Sequence, residues 1–257
     1  MDSGVSPRRV ALVSGGAVRI GRAISCALAA AGYDVAVHAQ RSRSAAEDLA
    51  ATIRASGRRA AVVTGDLGEQ ADLARLVAAA AEACGPITLL VNNACAFEPD
   101  ALGQLTPEQW DRHFSVNLRA PIFLAQAFAA QVPEGCDASI VNLLDQRVLK
   151  PNPTFFSYSL TKSALAAATA TMAQALAPRI RVNAVAPGPT VASRRQDVET
   201  FRRQSEAVLL GRGPRPEEVA DAVVFLARSA SITGQIIAVD GGQHLAWQTP
   251  DIAGITE

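Results

Sequence analysis

The chain has 257 residues, of which 49% are hydrophobic, and it carries 24 basic and 24 acidic side chains. Zero net charge excludes the basic field that attracts nucleic acid or an anionic membrane, so we expect neither partner. No apolar run reaches the ~18 residues of a membrane span. Length and apolar content predict one α/β domain over residues 1–257. We also expect residues 1–8 to form a loose arm and the protein to lie in the cytoplasm.

Cysteines and histidines are spread along the chain, at Cys26, Cys84, Cys95 and Cys136 and at His38, His113 and His244. Neither the C-x-x-C nor the H-E-x-x-H spacing of common metal sites occurs among them. The sequence therefore predicts reduced thiols and no bound metal ion.

Short β-rich apolar runs alternate with longer helical stretches from one end of the chain to the other. The predicted strands are Val10–Ser14, Asp34–Ala39, Ala60–Thr64, Ile87–Asn92, Ser139–Leu144, Arg181–Ala186 and Gln235–Val239. Helix start signals lie between them at Ser44–Glu47, Thr106–Gln109 and Pro216. Such alternation predicts a Rossmann-type, doubly wound sheet of about seven parallel strands with helices on both faces.

The first strand runs directly into Ser14-Gly-Gly-Ala-Val-Arg-Ile-Gly21, where a helix begins. Glycines let the backbone approach a ligand, and the free N–H groups of a helix start attract phosphate. This order of elements predicts a dinucleotide site, although a simple tight turn is the alternative. Arg41 and Ser42 lie where an acidic residue would select NAD(H), which favours NADP(H) over a merely solvated loop.

Tyr158 and Lys162 are four residues apart, so they share a helix face, and Asp145 lies thirteen residues before the tyrosine. An ammonium ~4 Å from a phenol contributes roughly 4 kcal/mol at an effective dielectric of ~20. Lowering the phenol pKa by two units takes only about 2.7 kcal/mol, so Tyr158 is a candidate acid or base. The alternatives are a surface pair for Tyr158 and Lys162, and a salt bridge to Arg147 or a loop cap for Asp145.

Seven marks in chain order make the sequence resemble the short-chain dehydrogenase/reductase family over essentially its whole length. They are Gly15 to Gly21, Asp66-Leu67, Asn92-Asn-Ala94, Asn117, Tyr158-x-x-x-Lys162, Pro187-Gly188 and Val239-Asp-Gly-Gly242. The resemblance implies Tyr158 as proton donor, Lys162 on the nicotinamide ribose, and Asn117 in a water relay to the lysine. It implies a homotetramer. It also implies cofactor contacts at Gly15, Arg19, Ile20, Gly21, Arg41, Ser42, Asp66, Leu67, Asn93, Ala94, Lys162, Pro187, Gly188 and Thr190.

Two residues depart from the common family pattern: Arg19 replaces the middle glycine of the loop, and Asp145 replaces the catalytic serine. In both departures the chain resembles pteridine reductases and the bacterial dihydromonapterin or dihydrofolate reductase-like members of the family. There the loop arginine contacts the pterin, and an aromatic at the position of Phe97 stacks on it. The resemblance implies that Arg19, Phe97, Asp145 and Tyr158 bind the substrate. A solvated arginine and a core aromatic are the alternatives for the first two.

Aspartate suits a C=N bond better than a ketone. A carboxylate at this place would repel the oxyanion formed when a ketone is reduced, whereas a ring nitrogen needs a proton that a carboxyl group can supply or relay. We therefore expect an NADPH-dependent reductase of a pterin-like heterocycle, with residues 189–213 as a substrate lid. A carbonyl reductase or alcohol dehydrogenase and a non-catalytic NADP-binding regulator are the alternatives. The Tyr158 to Lys162 spacing disfavours an enoyl reductase.

Overall fold

A computed structural model describes residues 8–193, 195–249 and 253, so residues 1–7 of the predicted arm lie outside it. Seven parallel strands form one sheet in the order β3-β2-β1-β4-β5-β6-β7, which confirms the predicted fold class. Each predicted strand is present, with its ends within two residues of the prediction. The strands are β1 Val10–Val13, β2 Asp34–Ala39, β3 Ala60–Thr64, β4 Leu89–Asn92, β5 Ala138–Leu143, β6 Ile180–Pro187 and β7 Ile236–Val239.

The described residues contain eight α-helices. They are α1 Arg19–Ala30, α2 Arg43–Ala55, α3 Gln70–Cys84, α4 Pro107–Phe114, α5 Ala120–Gln131, α6 Phe156–Leu176, α7 Val198–Glu206 and α8 Pro216–Arg228. No helix among them is long and apolar enough to cross a membrane.

Two of the three predicted helix starts are confirmed. The Thr106 hydroxyl accepts a hydrogen bond from the Gln109 N–H at the start of α4, and Pro216 is the first residue of α8. The capping box predicted at Ser44 is wrong, because the N-cap of α2 is Ser42, two residues earlier. The Ala46 N–H bonds to the Ser42 carbonyl, which places Ser44 inside the first turn.

Apolar side chains cover both faces of the sheet. Ala11 and Val13 belong to a core cluster with α1, α2 and α8, while Val10 and Leu12 belong to one with α3, α5 and α6. Successive strand residues point to opposite faces, so a strand buried on both sides is a continuous apolar run. Each fully buried side chain such as Phe128 contributes about 1.5–3 kcal/mol.

The predicted lid is not a loop throughout, because α7 lies within residues 189–213. None of the nine residues of α7 is buried, which explains why the sequence shows no core-facing periodicity there. The segment between β6 and α7 follows the carboxyl end of the sheet, where the loops after β1, β4 and β5 also meet. In parallel sheets ligands bind at this edge, where the strand order reverses, here between β1 and β4.

A buried polar network joins the middle of α6 to the sheet. The Asn92 amide donates to Asn142 at 2.9 Å, and the Asn142 amide donates to the Thr169 hydroxyl at 2.9 Å. Thr169 in turn donates to the Leu165 carbonyl at 2.8 Å. The two asparagines are register partners on β4 and β5, so the network crosses two strands and a helix.

Asn142→Ala is expected to lower the free energy of unfolding by about 2–4 kcal/mol, because it removes two buried hydrogen bonds, one to Asn92 and one to Thr169. Urea unfolding followed by circular dichroism measures the change. Asn152→Ala is the matched control, since Asn152 is exposed, and it should change stability by less than about 0.5 kcal/mol. Equal effects of the two substitutions would contradict a stabilising role for the network.

Candidate active site

The loop after β1 is folded so tightly that it requires glycine at two positions. Gly15 has a φ of +60°, and a Cβ on Gly21 would lie 2.1 Å from the Gly15 carbonyl oxygen. The Asn93 amide donates to the carbonyls of Ser14 and Gly15, at 2.9 and 3.1 Å. Asn93, predicted to contact a cofactor, therefore shapes the loop with its own side chain.

His38, at the end of β2, connects this loop to the one after β3. The Gly15 N–H donates to Nδ1 at 3.1 Å, and Nε2 lies 3.1 Å from the Gly65 carbonyl. Since an N–H donates and a carbonyl accepts, neutral His38 carries its proton on Nε2. Burial lowers the His38 pKa, and the bond to Gly65 opposes that effect. This role of His38 was not predicted, although the sequence places the histidine one residue before the end of a buried strand.

Arg19 is directed toward the predicted lid. It keeps a left-handed backbone, with φ +55°, where the common family pattern has glycine, at a cost of about 1–2 kcal/mol. Its guanidinium donates to the carbonyls of Val191 and Ala192 at 3.0 and 2.8 Å. Within the described residues it faces no carboxylate. Arg19 therefore ties the start of α1 to the segment after β6.

A small cleft of about 110 Å³ lies beside the glycine loop. Four predicted cofactor contacts line it: Gly15, Asp66, Leu67 and Ala94. His38 of β2 and Gln40, which directly follows that strand, line it as well. Arg41 and Ser42 follow at the end of β2. Arg41 is exposed and has no ion-pair partner in the part of the chain that the structure describes.

Asp145 and Tyr158 meet at the carboxyl end of β5. The Tyr158 hydroxyl donates to Asp145 Oδ2 at 3.0 Å. The Arg147 N–H donates to Oδ1 at 2.9 Å, and its guanidinium donates to Oδ2 at 3.2 Å. Asp145 is thus a salt-bridge partner and a cap as well as a neighbour of the phenol. Every one of these bonds is donated to the carboxyl group, as its ionised form requires.

The expectation that Lys162 lowers the Tyr158 pKa is wrong for this arrangement. Burial raises the Tyr158 pKa well above its ordinary value, and the negative charge of Asp145 raises it further. The Lys162 ammonium instead donates to the Leu143 carbonyl at 2.6 Å and lies 5.8 Å from the centre of the phenol ring. Burial lowers the Lys162 pKa. Tyr158 is therefore a neutral phenol at pH 7, suited to give a proton.

Asn117 lies in a π-helical segment, Ser115–Arg119, between α4 and α5. Its amide group exchanges two hydrogen bonds with the backbone of Ala96, at 2.7 and 2.9 Å, and reaches the Thr161 hydroxyl at 3.3 Å. π-Helical turns are frequent at functional sites. Asn117 fastens the loop after β4 to α6, and its water relay to Lys162 stays a prediction.

Phe97 borders the hydroxyl-bearing ring of Tyr158. The two ring centres are 4.7 Å apart in an edge-to-face arrangement, and Phe97 also stacks on Phe155 at 4.3 Å. The Arg147 guanidinium lies 5.7 Å from the Phe97 ring centre, and Arg195 of the lid segment donates to the Phe97 carbonyl. Phe97 therefore packs against an aromatic and also lines the site. Phe155 and Arg195 were not predicted as site residues, since neither belongs to a recognisable motif.

The remaining predicted residues lie at the ends of β6 and at the start of α1. Gly188 is packed so closely that a Cβ would lie 2.7 Å from Asp240 Cα, and the Thr190 hydroxyl donates to the Gly188 carbonyl at 3.0 Å. Pro187 ends β6, and Ile20 packs on the core.

Across the described ranges, no three His, Cys, Asp or Glu side chains gather as a metal site would require.

Comparison with known proteins identifies relatives over almost the entire chain. A family model described as enoyl-(acyl carrier protein) reductase matches residues 15–244. FolM alternative dihydrofolate reductase 1 from Brucella suis, crystallised with NADP, is 52% identical, has a TM-score of 0.93, and covers 97% of this chain and 100% of its own. A blue fluorescent protein from a metagenomic library, crystallised with NADPH, is 33% identical, with a TM-score of 0.84 and coverage of 91% and 97%.

A sequence relative of known activity is L-2,3-butanediol dehydrogenase of Corynebacterium glutamicum. It is 36% identical over 253 residues, which span 91% of this chain and 98% of the relative. The names of the dihydrofolate reductase and the butanediol dehydrogenase denote different reactions, one a reduction and one an oxidation. With the glycine loop, the Tyr158 and Lys162 pair and the parallel sheet in place, the chain belongs to the short-chain dehydrogenase/reductase family of oxidoreductases.

Proposed function

We propose that the protein is an NADPH-dependent reductase that adds hydride to a C=N bond of a pterin-like heterocycle. The observation that carries this proposal is the hydrogen bond from Tyr158 to Asp145 beside the ring of Phe97. An acidic group occupies the place of the family's serine, next to an aromatic face that a flat heterocycle can stack on. The dihydrofolate reductase named among the relatives, at 52% identity, supports the same substrate class.

The site fits NADP(H). Among the described residues, the first turn of α1 has neither a side-chain cap nor an acidic residue, so its N–H groups suit a phosphate. The cleft at Gly15, Asp66 and Leu67 would take the adenosine half, and exposed Arg41 would pair with its 2′-phosphate. Two related structures contain NADP or NADPH. When bound, the nicotinamide supplies the hydride.

Reducing a C=N bond breaks its π bond and forms one C–H and one N–H bond, so the protein must deliver a proton to nitrogen. Tyr158 carries such a proton, because burial and the charge of Asp145 raise its pKa and keep the phenol protonated at neutral pH. The nitrogen becomes strongly basic as hydride reaches the carbon, and it takes the proton from the phenol or through a bridging water. Tyr158 regains its proton from water along the path predicted for Lys162 and Asn117.

Asp145 orients the phenol and disfavours a ketone. Held by the N–H and the guanidinium of Arg147, its carboxylate accepts the Tyr158 hydroxyl and has room to accept the N–H edge of an aminopyrimidine. The same negative charge would oppose an oxyanion on a reduced ketone.

The lid role of residues 189–213 is supported by two contacts of that segment. Arg19 donates to the Ala192 carbonyl, and Arg195, within the segment, donates to the Phe97 carbonyl. A homotetramer remains a prediction from the family resemblance, and a cytoplasmic location remains a prediction from the sequence.

The proposal is tested by mixing the purified protein with NADPH and, separately, with dihydropterins and with a panel of ketones and diketones. Loss of NADPH absorbance is followed in each case. We expect turnover with a dihydropterin and at most slow turnover with the ketones. Efficient ketone reduction without dihydropterin turnover would refute the proposal in favour of a carbonyl reductase. Tight NADPH binding with no turnover on either panel would favour a regulator.

Asp145→Ser is expected to lower kcat on the dihydropterin by about 10²–10⁴-fold, because it removes the carboxylate that orients the proton donor Tyr158. NADPH affinity, measured by fluorescence titration, should stay nearly unchanged. Asp137→Ser is the matched control, since Asp137 is an exposed aspartate just before β5, at the opposite end of the strand. A parallel loss of NADPH affinity in the Asp145 variant would show that the residue is structural.

Arg41→Ala is expected to raise the KM for NADPH by about ten- to a hundredfold, because a charge-assisted bond contributes about 1.5–3 kcal/mol. The KM for NADH should not change, since NADH lacks the 2′-phosphate. Arg43→Ala is the matched control, because Arg43 is an exposed neighbour within 4.0 Å of Glu47. Steady-state kinetics with both cofactors measure the effect. The same increase for NADPH and NADH would contradict the assigned contact.

A further inference from the structure

Three buried polar side chains from three separate elements meet beneath Tyr158. Asp100 lies in the loop after β4, His113 is in α4, and Ser157 is in the first turn of α6. The side chains of His113 and Asp100 are 0% and 1% exposed, and Ser157 is 0% exposed. No step of the proposed reaction uses them, yet Ser157 is covalently next to the proton donor.

The hydrogen bonds among these groups run in one direction. The Glu98 N–H donates to His113 Nε2 at 3.2 Å, so neutral His113 carries its proton on Nδ1. Nδ1 lies 2.6 Å from the Ser157 hydroxyl oxygen and donates to it. The Ser157 hydroxyl then donates to the Asp100 carboxylate. Each buried donor and acceptor in this chain has a partner, which rigidifies the group.

Asp100 also caps the helix that carries Tyr158. The N-cap residue of α6 is Phe155, whose φ is +53° and whose side chain makes no cap hydrogen bond among the described residues. The Ser157 N–H instead lies 3.2 Å from both carboxylate oxygens of Asp100, and the Phe156 N–H donates to the Asp100 carbonyl. A negative charge is favoured at a helix N-terminus. A residue from the loop after β4 therefore fixes the turn in which Tyr158 lies.

The same chain of bonds holds the substrate side of the site. Glu98 directly follows Phe97, so its bond to His113 restrains the loop that carries the stacking ring. The His113 ring lies 6.3 Å from the Tyr158 ring, in an edge-to-face arrangement. Movement of the imidazole would therefore displace both the phenol and Phe97.

We propose that Asp100, His113 and Ser157 are positioning residues that hold the Tyr158 hydroxyl on Asp145 and Phe97 beside it. This inference rests on the proposed function, in which Tyr158 is the proton donor. The network requires neutral His113, because a protonated ring would direct an Nε2–H at the Glu98 N–H. A purely stabilising polar core is the competing explanation, and the experiments below separate the two.

The groups that face His113 decide its charge. Asp100 and Glu98 approach from the loop after β4, Arg112 from α4, and the Ser157 hydroxyl and Tyr158 ring from α6. Burial is the largest effect and lowers the His113 pKa, the charges of Asp100 and Glu98 oppose it, and Arg112 adds to it. The neutral ring is therefore kept at pH 7, and acid disrupts the network only below the ordinary value of ~6.5.

Ser157→Ala is expected to lower kcat about tenfold or more, because small displacements of a catalytic group cost that much. The KM for NADPH should not change. Thr169→Val is the matched control, since it removes a buried hydroxyl from the same helix, three turns beyond Tyr158. It should reduce stability and leave kcat within about twofold. Equal kcat losses in the two variants would overturn the proposal.

A spectroscopic readout makes the test independent of the substrate. The chain contains only two tyrosines, Tyr33 and Tyr158, so ¹³C labelling of the hydroxyl-bearing carbon gives two resonances, assigned with Tyr33→Phe. Ser157→Ala should move or broaden the Tyr158 resonance in the protein without ligands, and Thr169→Val should not. An unmoved resonance would refute positioning. A moved resonance in a protein that reduces no dihydropterin would refute only the proposed function.

A pair of histidine variants tests the direction of the bonds. The Asn amide can donate to Ser157 in place of Nδ1 but does not titrate, whereas Leu donates nothing. His113→Leu should lower kcat about tenfold. His113→Asn should keep kcat within about threefold of the wild-type value. Its kcat should not fall below pH ~6.5, as that of the wild type does. Wild-type activity in the Leu variant, or identical kcat and pH profiles in the two variants, would overturn the proposal.

Discussion

The hydrogen bond between the buried Tyr158 hydroxyl and the Asp145 carboxylate is the interaction around which the rest of the site is arranged. A phenol removed from water and bonded to a negative charge keeps its proton, because both effects disfavour phenolate. Arg147 balances the carboxylate from the other side. The Lys162 ammonium donates to a backbone carbonyl of β5 and not to the phenol. In this arrangement Tyr158 keeps its proton at neutral pH.

Much of the fold could be predicted because its causes are local. Strands buried on both faces are continuous apolar runs, and seven of them alternating with helices leave few arrangements other than a parallel sheet. In a parallel sheet the residues that follow the strands gather at one edge, as Gly15, Asn93 and Asp145 do. Glycine at residues 15 and 21 follows from the same tight turn.

The features that escaped prediction depend on contacts between residues far apart in the chain. The Tyr158 pKa is raised by burial and by the charge of Asp145, neither of which the four-residue spacing to Lys162 determines. Arg19 bonds to carbonyls more than 170 residues away, and no local pattern encodes that choice. The helix within the lid has no buried residue and therefore no apolar periodicity to detect. Sequence periodicity reports burial, whereas these features arise from long-range polar contacts.

The cap that Asp100 places on α6 has a consequence for how the protein assembles. A helix that carries its own capping residue can define its first turn as soon as it forms, but α6 begins at Phe156 without one, within the described chain. The first turn of α6 becomes well defined only after the loop that follows β4 docks on it. The contact between Asp100 and Ser157 joins residues 57 positions apart in the sequence. Folding and active-site assembly are therefore one cooperative event at this helix end. Amide hydrogen exchange at Ser157 consequently reports on both.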